Sequence, residues 1–347
     1  METKKLNQIL SKFSKCINKK NFNPVFACIK FDKGSLIVSD KENILVITVP
    51  ELTHLSCFVD FDSVKKIINK IKVDSVELSQ TDTLFIIKTL KGDFTLPLYF
   101  DLNSEFTSIP TIESELDLYI TETHIELMKN ALHFCGNDDL RPTFSGVHLD
   151  ESGYITASDS NKLYYPTCQP TFGKSSIISQ KAVLLLEKML HLVEQNEEYI
   201  SFTNEDYQII TRKIQGEVHL FKRIIPVNFN TTLTVSKKDI KESIELALLI
   251  SNPFTNLCRF EITDKFILMS EYIEYNKTYK KTIDSKITGD SIIIGFDLKL
   301  LQQIFNVNYI NDSEVGEEVD EFTFKINDPS GVVIINDIIA VMPKNFK

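Results

Sequence analysis

The sequence predicts an α+β fold with antiparallel sheets, and three observations support that fold class. Residues 24–32 recur as residues 142–150, a shift of 142 − 24 = 118 positions, and a weaker third copy begins at Cys258. Each copy combines helices that have one apolar face with strands of alternating polarity. The strands follow one another without a helix between them, which favours antiparallel pairing. We therefore predict three repeated units, each with two helices packed on antiparallel sheets.

Six helices are predicted from apolar residues spaced three and four positions apart, because that spacing puts them on one helix face. Asp62 and Asp297 stand near the starts of the second and the sixth helix, where we expect them to act as N-caps. The apolar positions of the six helices are, in chain order, Leu6, Ile9, Leu10, Phe13 and Ile17; Val64, Ile67, Ile68 and Ile71; Ile125, Met128 and Leu132; Val183, Leu186 and Leu190; Ile240, Ile244, Ala247 and Leu248; and Leu300, Leu301 and Ile304.

Strands are predicted where polar and apolar residues alternate. In the first two copies, the second strand ends in Ser-Asp, at residues 39–40 and 158–159. Further strands follow the second helix of each copy, at residues 76–78, 200–202 and 322–324. Since this order of elements occurs three times, we predict three domains, residues 1–112, 113–232 and 233–347, with boundaries where turn-forming and polar residues interrupt the pattern.

The composition is that of a soluble globular protein, since 43% of the 347 residues are hydrophobic and 25% are charged. The first residues lack the apolar core of a signal peptide, and no apolar run is long enough to span a bilayer. We expect a cytoplasmic protein with no membrane partner. The six cysteines lie far apart, which predicts reduced, buried thiols rather than zinc ligands or redox pairs.

The residues give little support for an enzyme. Gly173-Lys174-Ser175 matches the end of a phosphate-binding loop, but Cys168 occupies the position where that loop needs a glycine. The six histidines lack metal-ligand spacing, and no serine has the flanking glycines of a nucleophile elbow. We expect a non-catalytic protein with no cofactor and no metal site. An enzyme that uses scattered carboxylates such as Asp138 and Asp139 stays as a distant alternative.

Four motifs, in this order along the chain, carry a resemblance to a known family. They are residues 140–147 (Leu-Arg-Pro-Thr-Phe-Ser-Gly-Val), residues 157–163 (Ala-Ser-Asp-Ser-Asn-Lys-Leu), Ile225-Pro226, and residues 340–343 (Ala-Val-Met-Pro). Together with the three repeats, they resemble the beta subunit of bacterial DNA polymerase III, the sliding clamp, over nearly the whole chain. The resemblance implies a processivity factor: two chains joined head to tail into a closed, helix-lined ring that encircles duplex DNA. It also implies a DNA polymerase and a clamp loader as partners, bound through short peptide motifs.

The net charge of −10 argues against a protein that binds nucleic acid over its whole surface. Lysines nevertheless gather on the predicted helices, opposite the apolar faces, where a ring of this family would face DNA. Lysine attracts phosphate without fixed geometry, which suits contact that does not depend on base sequence. The alternative is that these lysines form ordinary solvated helix faces. The candidate DNA-facing residues are Lys5, Lys12, Lys15, Lys19, Lys65, Lys66, Lys70, Lys181, Lys188, Lys237, Lys241 and Lys299.

The family binds its partners in an apolar pocket between the second and third domains. Several positions depart from the family pattern: Ser160-Asn161-Lys162 replaces Gly-His-Arg, and Thr231 and Ala340 replace larger apolar residues. The terminus, residues 344–347, also differs from the usual basic-apolar pair. An interpretation of Phe144 and Met342 as core residues is the alternative. The resemblance implies a pocket built from Phe144, Ser158, Ser160, Asn161, Lys162, Leu163, Pro226, Thr231, Ala340, Met342 and Pro343.

Ring closure in the family joins the first domain of one chain to the third domain of the other. In this chain, that implies contact of Phe94 with Leu249 and Ile250, and interior positions for these residues are the alternative. The main rival to a DNA clamp is a clamp-like scaffold of a phage or mobile element that binds partners without encircling DNA.

Overall fold

The computed structural model describes residues 1–17, 23–100, 109–112, 118–138, 140–216, 221–307 and 320–346. The chain divides into two compact units. The first contains Met1–Ile125 and Ile178–Lys213, and the second contains Glu126–Ile177 and Ile214–Lys347. Among the described residues, no helix is long and apolar enough to cross a membrane.

Within the described residues, six α-helices alternate with runs of strands. The helices are α1 (Thr3–Cys16), α2 (Phe61–Lys70), α3 (Glu122–Ala131), α4 (Gln180–Leu185), α5 (Lys237–Leu248) and α6 (Leu298–Phe305). The strands are β1 (Cys28–Asp32), β2 (Ser35–Ser39), β3 (Asn43–Thr48), β4 (Ser56–Asp60), β5 (Glu77–Gln80), β6 (Leu84–Thr89), β7 (Gly92–Pro97), β8 (Leu118–Ile120), β9 (Gly146–Leu149), β10 (Ile155–Ser158), β11 (Lys162–Tyr164), β12 (Ser176–Ser179), β13 (His191–Gln195), β14 (Tyr199–Thr203), β15 (Gln208–Arg212), β16 (Thr231–Ser236), β17 (Leu257–Ile262), β18 (Phe266–Tyr272), β19 (Lys277–Ile283), β20 (Ser285–Gly289), β21 (Ile292–Asp297), β22 (Glu321–Ile326), β23 (Val333–Ile335) and β24 (Ile339–Val341).

The strands of the described part of the chain form four sheets. An eight-stranded sheet has the order β4-β1-β2-β3-β15-β14-β13-β8, and a nine-stranded sheet has the order β12-β9-β10-β11-β24-β23-β22-β16-β20. A four-stranded sheet, β19-β18-β17-β21, and a three-stranded sheet, β5-β6-β7, complete the set. Sequential strands such as β1 and β2 pair antiparallel. The predicted α+β class with antiparallel sheets is confirmed, and the order of helix, strands, helix, strands occurs three times along the chain.

The apolar helix faces read from the sequence point into the core. In α1, Leu6, Ile9, Leu10 and Phe13 are all buried. In the first unit, α1 packs against α2 and α4, and in the second unit α5 packs against α6. Helical spacing therefore identified the buried side of the helices correctly.

Two details of the helices differ from the prediction. Asp60, rather than Asp62, caps α2: its side chain accepts a hydrogen bond from the Ser63 amide. Asp297 is confirmed as the cap of α6, where it accepts from the Lys299 and Leu300 amides. The fourth helix is shorter than predicted, because the chain becomes extended at Leu186, and Leu190 is 57% exposed.

All six cysteines are free thiols, as predicted, but the predicted burial holds for only four of them. Cys16, Cys28, Cys57 and Cys258 are buried, and Cys135 and Cys168 are half-buried. Burial raises the pKa of the Cys16 thiol to about 12, with the nearby Asp40 carboxylate adding to the shift. A thiol with so high a pKa stays protonated at neutral pH.

Candidate binding sites

The eleven residues of the predicted peptide pocket all lie within the second unit. Its central feature is the pairing of β11 with β24, which sets Leu163 opposite Ala340. The pairing extends beyond β24, since the Met342 amide donates a hydrogen bond of 2.8 Å to the Asn161 carbonyl. Two parts of the predicted pocket, which are far apart in sequence, are thereby joined at one sheet position.

Leu163 and Ala340 belong to an apolar cluster, which we define as Leu163, Tyr165, Phe221, Ile334 and Ala340. All five residues are buried. Partly buried apolar side chains pack on this cluster: Tyr154, Ile225, Phe229 and Val332.

Exposed apolar side chains occur in the segments next to the apolar cluster. Ile224 and Val227 flank Ile225 and Pro226 and are 55% and 89% exposed, and Met342 is 41% exposed. Apolar side chains that stay exposed beside a buried apolar cluster are typical of a binding surface. Pro226 itself is half-buried.

Sequence reasoning missed Tyr165, Tyr154 and Phe221, although one signal was present. Tyr165 lies two residues after Leu163, and side chains two apart along a strand point to the same face. Phe221 contacts both tyrosine rings, with ring centroids 5.1 Å from Tyr154 and 5.7 Å from Tyr165. No spacing rule indicates that contact, since Phe221 comes from a distant part of the chain.

The turn between β10 and β11, residues 158–162, is fixed by its own hydrogen bonds, and we call it the rim turn. Asp159 Oδ1 accepts from the amides of Asn161 and Lys162, each at 3.0 Å. The Ser158 hydroxyl donates to the Lys162 carbonyl at 2.8 Å. Ser160 has a φ of 79°, a left-handed conformation that the turn imposes on a non-glycine residue.

Lys162 lies on the opposite face of β11 from Leu163. Its side chain is buried, and Nζ lies 3.2 Å from Asp159 Oδ2 and donates a hydrogen bond to Gln303 Oε1. The ammonium also lies 5.9 Å from the centre of the Phe134 ring. The structure therefore does not bring Lys162 to the apolar cluster.

Phe144 lines a separate polar cleft of about 520 Å³, together with Asn161 and Lys162. Arg141 organises one wall of this cleft. Its Nε donates to Asp138 Oδ2 at 2.7 Å, one terminal nitrogen donates to the Ser160 hydroxyl at 3.0 Å, and the guanidinium lies 5.0 Å from the Phe144 ring centre. The hydrogen bond from Arg141 lowers the pKa of the Asp138 carboxyl.

Two further predicted pocket residues differ in their surroundings. Thr231 is buried in β16, and its hydroxyl donates to the Asp290 carbonyl at 2.7 Å. Pro343 is half-buried and follows Met342 directly. Thr231 is not part of the apolar cluster.

Four of the candidate DNA-facing lysines contact named groups within the fold. Lys12 pairs with Glu187 at 3.1 Å and lies 4.7 Å above the Tyr207 ring. Lys181 pairs with Asp40 at 2.5 Å and donates to the Cys16 carbonyl at 2.6 Å. Lys5 pairs with Glu51 at 3.2 Å, and Lys65 donates to the Ser14 hydroxyl. The exposed candidates are Lys15, Lys66, Lys70, Lys188 and Lys299, the half-buried ones are Lys237 and Lys241, and Lys19 lies outside the described residues.

Positive charge is concentrated on the helices of the first unit. Helix α1 carries four lysines and no acidic residue, a formal charge of +4. Helix α2 carries three lysines and Asp62, which gives 3 − 1 = +2. Helix α5 carries three lysines but also Asp239, Glu242 and Glu245, so its formal charge is 3 − 3 = 0. The sequence suggested basic faces on several helices, and the formal positive charge is largest on α1 and α2.

The residues of the predicted chain-to-chain contact are partly exposed. Phe94 is half-buried on β7, the last strand of the three-stranded sheet, and Leu249 is 78% exposed at the end of α5. Phe254, five residues further along, is 87% exposed. Ile250 is half-buried. These exposures disfavour interior positions for Leu249.

The phosphate-loop-like motif that the sequence suggested lies in a loop. Gly173-Lys174-Ser175 precedes β12, and Gly173 has a φ of 70°. Among the described residues, no group of three His, Cys, Asp or Glu side chains could hold a metal ion. Asp139 lies outside the described residues.

The chain is similar along its length to proteins named beta sliding clamp. It is 22% identical to the beta sliding clamp of Helicobacter pylori strain J99, over 78% of this chain and 74% of that protein. It is 23% identical to that of Rickettsia felis, over 99% of this chain and 98% of that protein. No protein-family model matches the chain.

Solved structures share the fold over the full length. The DNA polymerase III beta subunit of Thermotoga maritima superimposes with a TM-score of 0.86 at 20% identity, over 100% of this chain and 99% of that one. The DNA polymerase sliding clamp of Bacillus subtilis gives a TM-score of 0.88 at 18% identity, over 100% and 98%. The resemblance read from the sequence is confirmed, and the chain has the fold of these clamps.

Proposed function

We propose that this chain is the protomer of a DNA sliding clamp, a ring that encircles duplex DNA and tethers a replicative polymerase to it. The observation that carries the proposal is the match of fold over the whole chain, together with curated relatives that are all named beta sliding clamp. The proposed role is non-catalytic, because encircling and tethering need shape and charge rather than a reacting group.

The proposed ring contains two chains, and each chain contributes three domains, residues 1–112, 113–232 and 233–347. The threefold order of helices and strands supports this division. Closed assemblies of identical chains are commonly dimers with twofold symmetry. We propose Phe94, Leu249 and Ile250 as part of the contact between the chains, since exposed apolar residues such as Leu249 gain by burial.

Contact with DNA is proposed to be electrostatic and independent of base sequence. The basic surface of α1 and α2 supports this, because it consists of lysines without interleaved aromatic side chains that could stack on bases. The acidic net charge of −10 would keep the remainder of the surface from holding DNA.

Partner proteins are proposed to bind through short peptides that carry a glutamine and spaced apolar residues. The apolar cluster with Met342, Ile225 and Val227 beside it supports a site for the apolar side chains. Small apolar anchors in a concave site provide most of the affinity in such complexes. The polar cleft beside Phe144 and Arg141 offers hydrogen-bond partners to the remaining residues.

Retention on circular DNA tests the proposal. The protein is incubated with a nicked circular plasmid and the clamp loader of its own source, and the mixture is passed over a sizing column before and after the plasmid is linearised. A ring should elute with the circle and be lost after linearisation, because it slides off the ends. Equal retention on both forms, or no retention by a dimer that still binds partner peptide, would favour the clamp-like scaffold that binds partners without encircling DNA.

A further inference from the structure

The C-terminal segment, residues 342–346, is held at two positions, Met342 and Lys344. At its start, the Met342 amide donates to the Asn161 carbonyl of the rim turn at 2.8 Å. Two residues later, the Lys344 amide donates to the Gly295 carbonyl of β21, also at 2.8 Å. The Lys344 ammonium donates to the Thr255 carbonyl at 2.5 Å and to Asp297 Oδ2 at 3.0 Å. The side chain of Lys344 therefore contacts residues of its own chain.

Gly295 makes this close approach possible. A Cβ atom at Gly295 would lie 2.3 Å from the Lys344 carbonyl oxygen and 2.8 Å from the Phe346 ring. Real side-chain atoms do not come that close to a backbone oxygen, so any larger residue would push the segment away. A glycine inside a strand often marks such a place, where another part of the chain passes directly over the sheet.

The rim turn is held by a second lysine. Buried Lys162 pairs with Asp159 inside the turn and donates to Gln303, a residue 141 positions further along the chain. Removing a partner from a buried ammonium is costly, because the charge loses water without compensation. The position of the rim turn therefore depends on where Gln303 lies.

Both attachments lead to α6. Asp297 is the N-cap of α6, and its Oδ1 accepts from the Lys299 amide while its Oδ2 accepts from Lys344. Gln303 lies in the second turn of the same helix. The two edges of the proposed peptide pocket, the rim turn and the C-terminal segment, are thus fixed to one helix by two lysines whose amines do not reach the apolar cluster.

We infer that Lys162 and Lys344 are positioning residues that hold the two edges of the peptide pocket in their binding conformation by anchoring them to α6. The inference rests on the proposed function, since it concerns the same pocket. Its physical basis is preorganisation: a site whose walls are already fixed loses less conformational entropy when a peptide binds.

The first test removes the anchor of the C-terminal segment. Binding of a fluorescein-labelled peptide with one glutamine and two leucines is measured by anisotropy for the wild type, Lys344→Ala and Lys344→Arg. We expect the alanine variant to bind about tenfold more weakly and the arginine variant to recover most of the affinity, because its guanidinium can still reach Asp297. Lys265→Ala, in the exposed turn between β17 and β18, is the matched control and should bind like the wild type.

The second test removes the anchor of the rim turn without damaging the core. Gln303 is exposed on α6, so Gln303→Ala leaves buried packing intact, and Gln303→Glu keeps an acceptor for Lys162. The alanine variant should lose affinity and the glutamate variant should retain it. Gln302→Ala, the neighbouring position, is the control.

Amide hydrogen exchange separates positioning from a general loss of stability. In Lys344→Ala, the Met342 amide should exchange faster, while amides in β17 and β18 keep their rates and the melting temperature changes little. Wild-type affinity in both alanine variants would overturn the inference while leaving the proposed function intact. A wild type that binds no peptide would overturn the proposed pocket, and the inference with it. If Lys344→Ala lowered the melting temperature as far as a core variant does, and Lys344→Arg did not restore peptide affinity, Lys344 would have only a structural role.

Discussion

Met342 and Ala340 differ in exposure although they are only two residues apart. Ala340 is 3% exposed within the apolar cluster, whereas Met342 is 41% exposed just beyond β24. The backbone of Met342 is fixed by the Asn161 carbonyl, while its flexible side chain stays accessible. A thioether with several rotatable bonds on a fixed backbone suits a pocket wall that adapts to different apolar side chains.

Substitution of Met342 distinguishes a pocket wall from a core residue. Met342→Ala should weaken binding of the partner peptide by about 1–3 kcal/mol, as truncation of a contact residue does. Its melting temperature should change little, because the side chain is already partly in water. Calorimetry is compared with Leu186→Ala, a residue 1% exposed, which should lose roughly 2–5 kcal/mol of folding stability. Unchanged peptide affinity together with a lowered melting temperature would show that Met342 belongs to the core.

The buried thiols should resist alkylation in the folded protein. With the pKa of Cys16 raised to about 12, the thiolate fraction at pH 8 is on the order of 10⁻⁴, and the thiolate is the reactive form. Burial raises the pKa of Cys57 to about 12 as well. Mass spectrometry after brief iodoacetamide treatment at pH 8 should find half-buried Cys168 modified before Cys16, Cys57 and Cys258. Rapid labelling of Cys16 in protein that keeps its native melting curve would contradict this burial.

The raised thiol pKa values also predict lower stability at high pH. The unfolded chain loses its thiol protons near pH 8.5, whereas the folded chain holds that of Cys16 until about pH 12. The thiol of Cys16 therefore makes its full contribution to the free energy of unfolding below about pH 8.5. That contribution is lost as the pH rises towards about 12. Urea midpoints measured at pH 7.5, 9 and 10 should fall in that order, and Cys16→Ala should flatten the decline relative to the wild type.

At single positions, side-chain direction along β11 separates two residues of the predicted pocket. Leu163 faces the apolar cluster, because side-chain direction in a strand follows a period of two. The same rule sends Lys162 to the other face, yet the family comparison grouped both residues in one pocket. The link from Lys162 to Gln303 joins residues 141 positions apart, and no local pattern encodes such a contact.

Among the helices, α1 is the clearest candidate for a DNA-facing surface. It has a fully buried apolar side, four lysines and no acidic residue. Two of these lysines are engaged, since Lys12 pairs with Glu187 and Lys5 pairs with Glu51. Such exposed or half-exposed pairs are weak, so phosphate groups can compete for them. Lys15 on α1 and Lys66 on α2 are exposed, and they carry the sharpest prediction.

The double variant Lys15→Glu with Lys66→Glu should weaken binding to a short duplex. Each phosphate contact contributes about −0.9 to the slope of log K against log salt, so losing two contacts should make the slope shallower by about 1.8. The measurement is fluorescence anisotropy between 50 and 200 mM salt, roughly the range in which such contacts dominate. Lys91→Glu with Lys265→Glu, in exposed turns, changes net charge equally and should preserve the slope. An equal loss in both double variants would mean that only the overall charge matters.

Element types were predicted more accurately than element ends. Apolar spacing located all six helices, but it assigned Leu190 to the fourth helix, which ends at Leu185. The end is set by a tertiary contact, in which the Glu187 amide donates to the Tyr207 hydroxyl at 2.8 Å. Similarly, the choice between Asp60 and Asp62 as cap of α2 depends on backbone dihedral angles that sequence spacing does not specify.

For the whole molecule, the threefold repeat is the feature that allowed the fold to be predicted from the sequence. Each repeat supplies helices and strands in the same order, so weak local patterns support one another across the chain. The two compact units are not visible in that repeat. Each unit combines two stretches that are distant in sequence, since Ile178–Lys213 belongs with Met1–Ile125 and Glu126–Ile177 belongs with Ile214–Lys347.

The proposed ring requires a dimer, and the mass in solution tests this directly. Light scattering should give 2 × 39.8 = 79.6 kDa for the wild type, and the value should persist on dilution to micromolar concentration. Leu249→Asp should shift the mass towards 39.8 kDa, because a carboxylate would be buried without a partner in the contact between chains. Leu90→Asp is the control, since Leu90 is 99% exposed in the turn between β6 and β7 and should leave the dimer intact. A wild type that stays monomeric at every concentration would exclude a two-chain ring, whereas a stable dimer that survives Leu249→Asp would move the contact to another surface.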